Sequence, residues 1–265
     1  MFGDWRVKLA APGILLGVLA CSTPAPEKGE AVAMDQAAAP VAATVVDSEA
    51  VRLLKKSMDY VGGLSRFRVE VSNLHEDLLP SGHRVDYQSV AVGTVVRPNK
   101  IRGSRLGAGV EQDLIYDGTT LTVYNPPQQA YASVAAPPTI PGMFEMASDS
   151  LGLYIPITDL IWPDVFPLLM EGVTMAAVVD QELVGGVICT HLVFSRPGAD
   201  FQIWIPVEGA PLPLKYIVTD TSTPALLSIV STMSKWDTNP RVADDYFTFT
   251  PPAGAQQVPF IPLSN

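Results

Sequence analysis

The chain has 265 residues, of which 48% are hydrophobic and 17% charged, with a formal net charge of −10 and two cysteines. Two cysteines cannot staple a disulfide scaffold, so burial of apolar surface must hold the fold. The acidic balance argues against nucleic acid as a partner, which rewards clustered Lys and Arg, and against electrostatic adhesion to anionic headgroups.

The N-terminus reads MFGDWRVKLAAPGILLGVLACS. Arg6 and Lys8 precede an apolar run from Leu9 to Ala20, too short for a bilayer core that takes about 20 residues. Basic, then apolar, then small is the layout of a secretory signal peptide over residues 1–20. The closing VLAC resembles a lipobox, in which Cys21 is acylated after cleavage, although Leu19 stands where a smaller residue is usual. The alternatives are an ordinary secretory signal cut nearby and a plain N-terminal anchor. Acyl chains on Cys21 would hold the protein on a membrane, and Ser22 at the next position, rather than Asp, points to the outer membrane from the periplasmic side. Cys189 is then without a partner, and a lone thiol in an oxidising compartment is expected to be buried. Residues 21–46 are rich in Ala and Pro without an aromatic, and read as a flexible tether.

Residues 47–265 read as one domain. Asp47 or Ser48 caps a helix whose stripe is Val51, Leu54, Met58 and Val61, ended by Gly62 and Gly63. The period then changes to two. SRFRVEVSNL alternates Phe67, Val69 and Val71 against Arg66, Arg68 and Glu70, a half-buried strand. HRVDYQSVAVGTVVRPN and KIRGSRLGAG follow as strands, and LHEDLL falls between strands as a polar turn. QDLIYDGTTLTVYNPPQQAYASV divides into three strands, with Asp117-Gly118 marking a hairpin.

An apolar, proline-punctuated segment interrupts the strands at 137–172. Thr139 to Leu151 reads as a helix with Met143, Met146 and Leu151 inward, and ITDLIW and PDVFPLLMEG as short helices. Strands resume in VTMAAVVDQELVGGVICTHLVF, DFQIWIPVEG, PLPLKYIVTD, ALLSIVSTMSKWD and DYFTFTPP. The fold class expected is therefore mainly β with a few helices, a curled antiparallel sheet of about 11 strands covering short helices, because a sheet that large normally curls.

The ordered set of Gly186, Cys189, His191, Leu192, Phe194, Gln202 to Ile205, Pro211 to Pro213 and Phe247 to Ala255 resembles a family of predicted periplasmic proteins. RPNK, YDGTTLTVYNP, Tyr131, PPTI and PITDLIW extend the likeness over residues 48–262. That family is similar in fold to the lipoprotein carriers and receptors of the LolA and LolB type, half-barrels with an apolar cavity for acyl chains. The resemblance implies this architecture and a lipid or acyl-chain ligand. It implies no reaction, catalytic residue, metal or cofactor.

Cys189 and His191 invite a catalytic reading. On a strand, residues i and i+2 share a face with their Cα atoms about 6–7 Å apart, too far for an ordinary thiol–imidazole dyad. Two ligands are also too few for a metal. A buried thiol beside a hydrogen-bonded histidine is expected instead, and the protein is expected not to be an enzyme. Gly107 to Gly109 lack a following helix to present to phosphate. The candidate hydrophobic cavity and lid comprise Phe67, Val69, Val71, Leu160, Ile161, Trp162, Phe166, Leu169 and Ile203, with an ordinary core as the competing reading for any one of them. A second function class stays open: an envelope interaction lipoprotein that docks a protein partner and holds no small ligand.

Overall fold

The computed structural model describes residues 45–107, 109–153 and 158–260. Cys21, the signal peptide and nearly all of the expected tether lie outside the described residues. The tether's last residues do not hang free of the domain. Val46 bridges Ala176, and the Asp47 N–H donates to the Ala176 carbonyl at 2.9 Å.

Helix α1 (Ser48–Gly63) begins where Asp47 accepts the Glu49 N–H at 2.8 Å, which satisfies one of the donors a helix start leaves unpaired. Its buried face is Ala50, Leu54, Ser57, Met58 and Val61. Ser57 is tolerated there because its hydroxyl donates to the Pro211 carbonyl at 2.6 Å.

Twelve strands then form one sheet: β1 (Arg66–Leu78), β2 (Arg84–Val96), β3 (Lys100–Gly107), β4 (Val110–Tyr116), β5 (Thr120–Asn125), β6 (Ala130–Ala135), β7 (Met175–Val184), β8 (Val187–Arg196), β9 (Ala199–Pro206), β10 (Lys215–Asp220), β11 (Ser228–Asp237) and β12 (Gln256–Gln257). Their order is β12-β6-β5-β4-β3-β2-β1-β11-β10-β9-β8-β7, antiparallel except for β12 on β6. Two meanders thus run outward from the centre, and β1 joins them by pairing with β2 on one side and β11 on the other. The ends of the order, β12 and β7, are not paired to each other, so the sheet stays open.

Turn chemistry sets the hairpins. Asp117 Oδ1 accepts the N–H groups of Thr119 and Thr120, both at 2.8 Å, and Gly118 takes φ 103°. Gly185 and Gly186 both have positive φ, as a two-residue type I′ turn requires.

Between the meanders lie α2 (Ile140–Leu151), a 3₁₀ turn at Thr158–Ile161 and α3 (Val165–Met170). The Thr139 hydroxyl caps α2 by accepting the Gly142 N–H. A single apolar core collects α1, α2, α3 and inward residues from both meanders, among them Phe67, Tyr116, Phe194, Phe201 and Ile203. One face of the whole sheet therefore wraps the helices, which is the half-barrel arrangement.

Two segments depart from the sequence reading. LHEDLL is not a turn: β1 continues to Leu78, paired residue for residue with β2 as far as Arg84. DYFTFTPP is not a strand. It crosses the outer face of the first meander as a strap, with Phe247 buried and the Phe249 ring 5.7 Å from Tyr124 and 5.0 Å from Tyr131. Arg102 fixes the strap by donating to the Tyr246 carbonyl at 2.8 Å. Alternation in that stretch reflects an aromatic face lying on a sheet, not membership in it.

α1 approaches the inter-meander segment closely at Gly62. A Cβ there would collide with the Pro163 carbonyl oxygen. Gly62→Ala should destabilise the domain by about 1–3 kcal/mol through forced separation, although alanine gains about 1 kcal/mol in helix propensity. Urea unfolding decides the sign.

Candidate functional site

The two meanders are filled differently. Over the second, α1 packs on β7 and β8, and the large rings Phe194, Phe201 and Tyr216 occupy the concave face, with Phe194 and Phe201 stacked at 4.7 Å; the cleft of about 210 Å³ left between α1 and β8–β9 is lined by Glu49, Lys56 and Thr190 as well as Leu53 and Ile205. Over the first, a cavity of about 150 Å³ is left between the sheet and its helical cover.

The floor of this cavity explains its existence. Gly93 on β2 pairs directly with Gly103 on β3. On both sides of them, along the strands, stand Val95 with Ile101 and Ala91 with Arg105. Neither glycine needs its freedom for backbone reasons, since neither has positive φ. A Cβ at Gly93 would meet nothing within 4 Å, and one at Gly103 only the Val92 carbonyl oxygen at 3.6 Å. Two missing side chains therefore open space over the sheet, a role glycine serves inside strands.

Around that floor the lining grades from apolar to polar along the strands. At one end are Phe67, Val69, Val95, Ile101, Leu114 and Val123, roofed by Phe144 of α2, Leu153 and Ile161. At the other are Asn73, Arg105 and Gln112. Asn73 Oδ1 accepts the Ser231 hydroxyl at 2.7 Å. Beyond it on the same face of β1 is His75, whose imidazole burial pushes below its ordinary value, with Asp77 opposing and Arg105 adding to the shift.

The residues named from sequence separate into two groups. Phe67, Val69, Val71 and Ile161 line the cavity. Leu160, Leu169 and Ile203 are buried in the common core, and Trp162 and Phe166 pack partly buried against it. Leu160, Trp162, Phe166 and Leu169 sit on the 3₁₀ turn, on α3 and between them, and Ile203 is on β9 under the second meander, so none of the five lines the cavity. Residues 154–157, in the same apolar segment, lie outside the described residues. Sequence reasoning passed over Gly93, Gly103 and Arg105. The signal available was an isolated glycine inside each of two consecutive alternating strands.

The cover is pinned by Arg97 at the end of β2. Its guanidinium donates to the carbonyls of Leu64 at 2.9 Å, Val61 at 3.3 Å and Ile161 at 2.6 Å. Burial disfavours its charge, partly offset by Asp164.

Cys189 and His191 lie on the opposite face of the sheet from the cavity. Both are buried. His191 bonds Glu182 through Nδ1 at 2.8 Å and Gln202 through Nε2 at 2.9 Å, and its ring stacks on Trp204 at 4.0 Å. The Trp204 indole N–H donates to the other Glu182 oxygen at 3.0 Å, and the Lys215 ammonium stands 4.3 Å from the Trp204 ring centre. The Trp204 bond, followed by His191, holds the Glu182 carboxyl below its usual range against partial desolvation. Cys189 packs with Val184 and Trp204, its thiol facing the Val187 carbonyl at 3.6 Å rather than the imidazole. The pair is a cross-strand cluster that stiffens β7, β8 and β9. Among the described residues no group of three or more His, Cys, Asp or Glu is placed to hold a metal.

A family model described as "Predicted periplasmic protein (DUF2092)" matches residues 50–261. The chain belongs to this family. The family's span runs from the first turn of α1 through β12, so the cavity and its cover belong to the DUF2092 domain itself. No curated protein sequence matches the chain significantly. Among solved structures, it is similar to an uncharacterized conserved protein from Thermus thermophilus at 10% identity and TM-score 0.47, covering 80% of this chain and 99% of that one. LprF from Mycobacterium bovis is similar at 14% identity and TM-score 0.47, with 80% and 99% covered. The lipoprotein LppX from Mycobacterium tuberculosis is similar at 14% identity and TM-score 0.39, with 74% and 100% covered. Similarity at this level does not reach ligand chemistry.

Burial pushes the Cys189 thiol above its ordinary value, so it stays protonated and shielded at neutral pH. A thiol reagent at pH 7–8 should leave Cys189 unmodified in the native domain and label it fully in denaturant, as intact mass would show.

Proposed function

We propose that this protein binds a lipid or another hydrophobic ligand over the first meander, and that it binds without transforming it. The observation carrying this reading is the glycine-floored cavity, apolar at one end and closed by a helical cover. Large rings occupy the equivalent region of the second meander, where the remaining cleft is lined by charged and polar groups beside α1. A protein needing only stability would fill such a space, because packing at native density favours it. The volume of about 150 Å³ takes a short stretch of one alkyl chain; longer chains need the cover to shift. A binding role also accords with the placement of Cys189 and His191, which are on the far face and cannot reach a molecule in the cavity.

The competing reading is an envelope interaction protein that docks a partner and holds no small ligand. The two differ in what the cavity does. Gly93→Val places a branched side chain over the floor in a strand that suits it. Stability should be unchanged or raised by about 0.5–1 kcal/mol, while binding of a fluorescent fatty-acid probe should fall at least tenfold. Equal probe binding by both proteins, or none by the wild type, would favour the docking protein. Lipid extractable from the purified wild-type domain, and lost in Gly93→Val, would support the proposal independently.

The proposal includes anchorage. The VLAC sequence and Ser22 support acylation at Cys21 and residence on the periplasmic face of the outer membrane. Cys21→Ser should then move the protein from the detergent-rich phase to the aqueous phase of a temperature-induced phase separation. An unchanged partition would sink the anchor.

A further inference from the structure

Arg105 is an unusual residue to find in an apolar cavity. It stands on β3 two residues beyond the glycine floor, on the same face as Ile101 and Gly103. Its Nε is fully enclosed and has no hydrogen-bond partner among the described residues. Its cross-strand neighbours are Ala91 and Gln112, and the acidic residues of β4, Glu111 and Asp113, alternate to the other face. Burial alone disfavours its charge, with no carboxylate among the described residues opposing. A guanidinium never sheds its proton in a protein, so an enclosed N–H of this kind remains a donor in want of an acceptor. Asn73 stands at the same end of the cavity, and with its oxygen taken by the Ser231 hydroxyl the rest of its carboxamide is an N–H donor. The inward-facing rim therefore offers donors, while the overall chain is acidic. An uncompensated positive group is placed where the cavity turns polar, with apolar walls receding from it for about 13 Å along β3 to Ile101.

We propose that Arg105 is the head-group site of the cavity, and that the ligand is an anionic amphiphile: one alkyl chain along the glycine floor, ending in a carboxylate or phosphate ester held by the Arg105 guanidinium. This rests on the groove reading given above and specifies its ligand. A planar guanidinium fork matches both head groups. Asn73 and Gln112 supply further polar contacts at the same end. The chain terminus points toward Phe67 and Phe144.

The test compares amphiphiles of one chain length that differ only in the head. Decanoic acid, decyl phosphate and decanol, whose chains match the apolar run of about 13 Å, compete against a fluorescent probe on the purified domain at pH 8. The acid or the phosphate should bind at least tenfold more tightly than the alcohol, and whichever is stronger identifies the head. Arg105→Met should collapse that ratio to near one, and Arg105→Lys should keep part of it. Acid, phosphate and alcohol of equal affinity in the wild type would overturn the head-group site and leave the groove standing. Failure of all three to compete would overturn both. A preference that persists in folded Arg105→Met would also reject the proposal. Should that variant not fold, the wild-type ratio still decides.

Discussion

The pairing of β1 with β11 is the constraint on which the rest depends. It joins segments as far apart in sequence as Asn73 and Ser231, whose side chains bond at 2.7 Å across it. Without it the chain holds two meanders, each with one apolar face and an exposed edge, and neither able to bury that face alone. With it, Phe67, Val71, Met233 and Trp236 meet, and a single core under all the helices becomes possible. Loop-closure entropy opposes so distant a contact but grows only slowly with loop length. Burial of the apolar face on both sides of β1 is large enough to offset it.

Once the sheet is joined, the distribution of side-chain volume decides which half can hold a ligand. The second meander carries Phe194, Phe201 and Tyr216 on its concave side, and α1 with α3 close over them. The first carries Gly93 and Gly103 facing one another. The helical cover therefore rests on support at one side and spans a gap at the other. Arg97 ties that cover to the sheet through three backbone carbonyls, at the edge where the gap begins. The strap through Tyr246, Phe247 and Phe249 shields the outer face of the same meander, so thinning the inside does not expose the sheet from both sides.

Much of this was legible in the residues. Period-two alternation located the strands, Asp117-Gly118 located a hairpin, and Thr139 located the start of α2. Phe67, Val69 and Val71 were recognised as inward because their neighbours Arg66, Arg68 and Glu70 are charged. Arg105 was harder. In IRGSRLG both alternating sets are mixed, Ile101 with Gly103 and Arg105 against Arg102 with Ser104 and Leu106. Only the register with Gly93 and Ala91 shows which set faces the helices. Trp162 and Phe166 are as apolar as Ile161, and nothing local tells a residue beneath a cover from one within it. The strap failed for a related reason: DYFTFTPP alternates as a strand does, because it lies on a sheet.

Sequence alone determined the element types, the meander–helix–meander order, the family resemblance and the expectation that Cys189 is an unreactive, buried thiol. Each follows from local periodicity, turn residues, compartment or the ordered motifs. Tertiary structure decided the joining of the meanders through β1, the half of the sheet left unfilled and the guanidinium turned into it. Those depend on strand register across distant segments, where a shift of one residue exchanges the two faces of a strand.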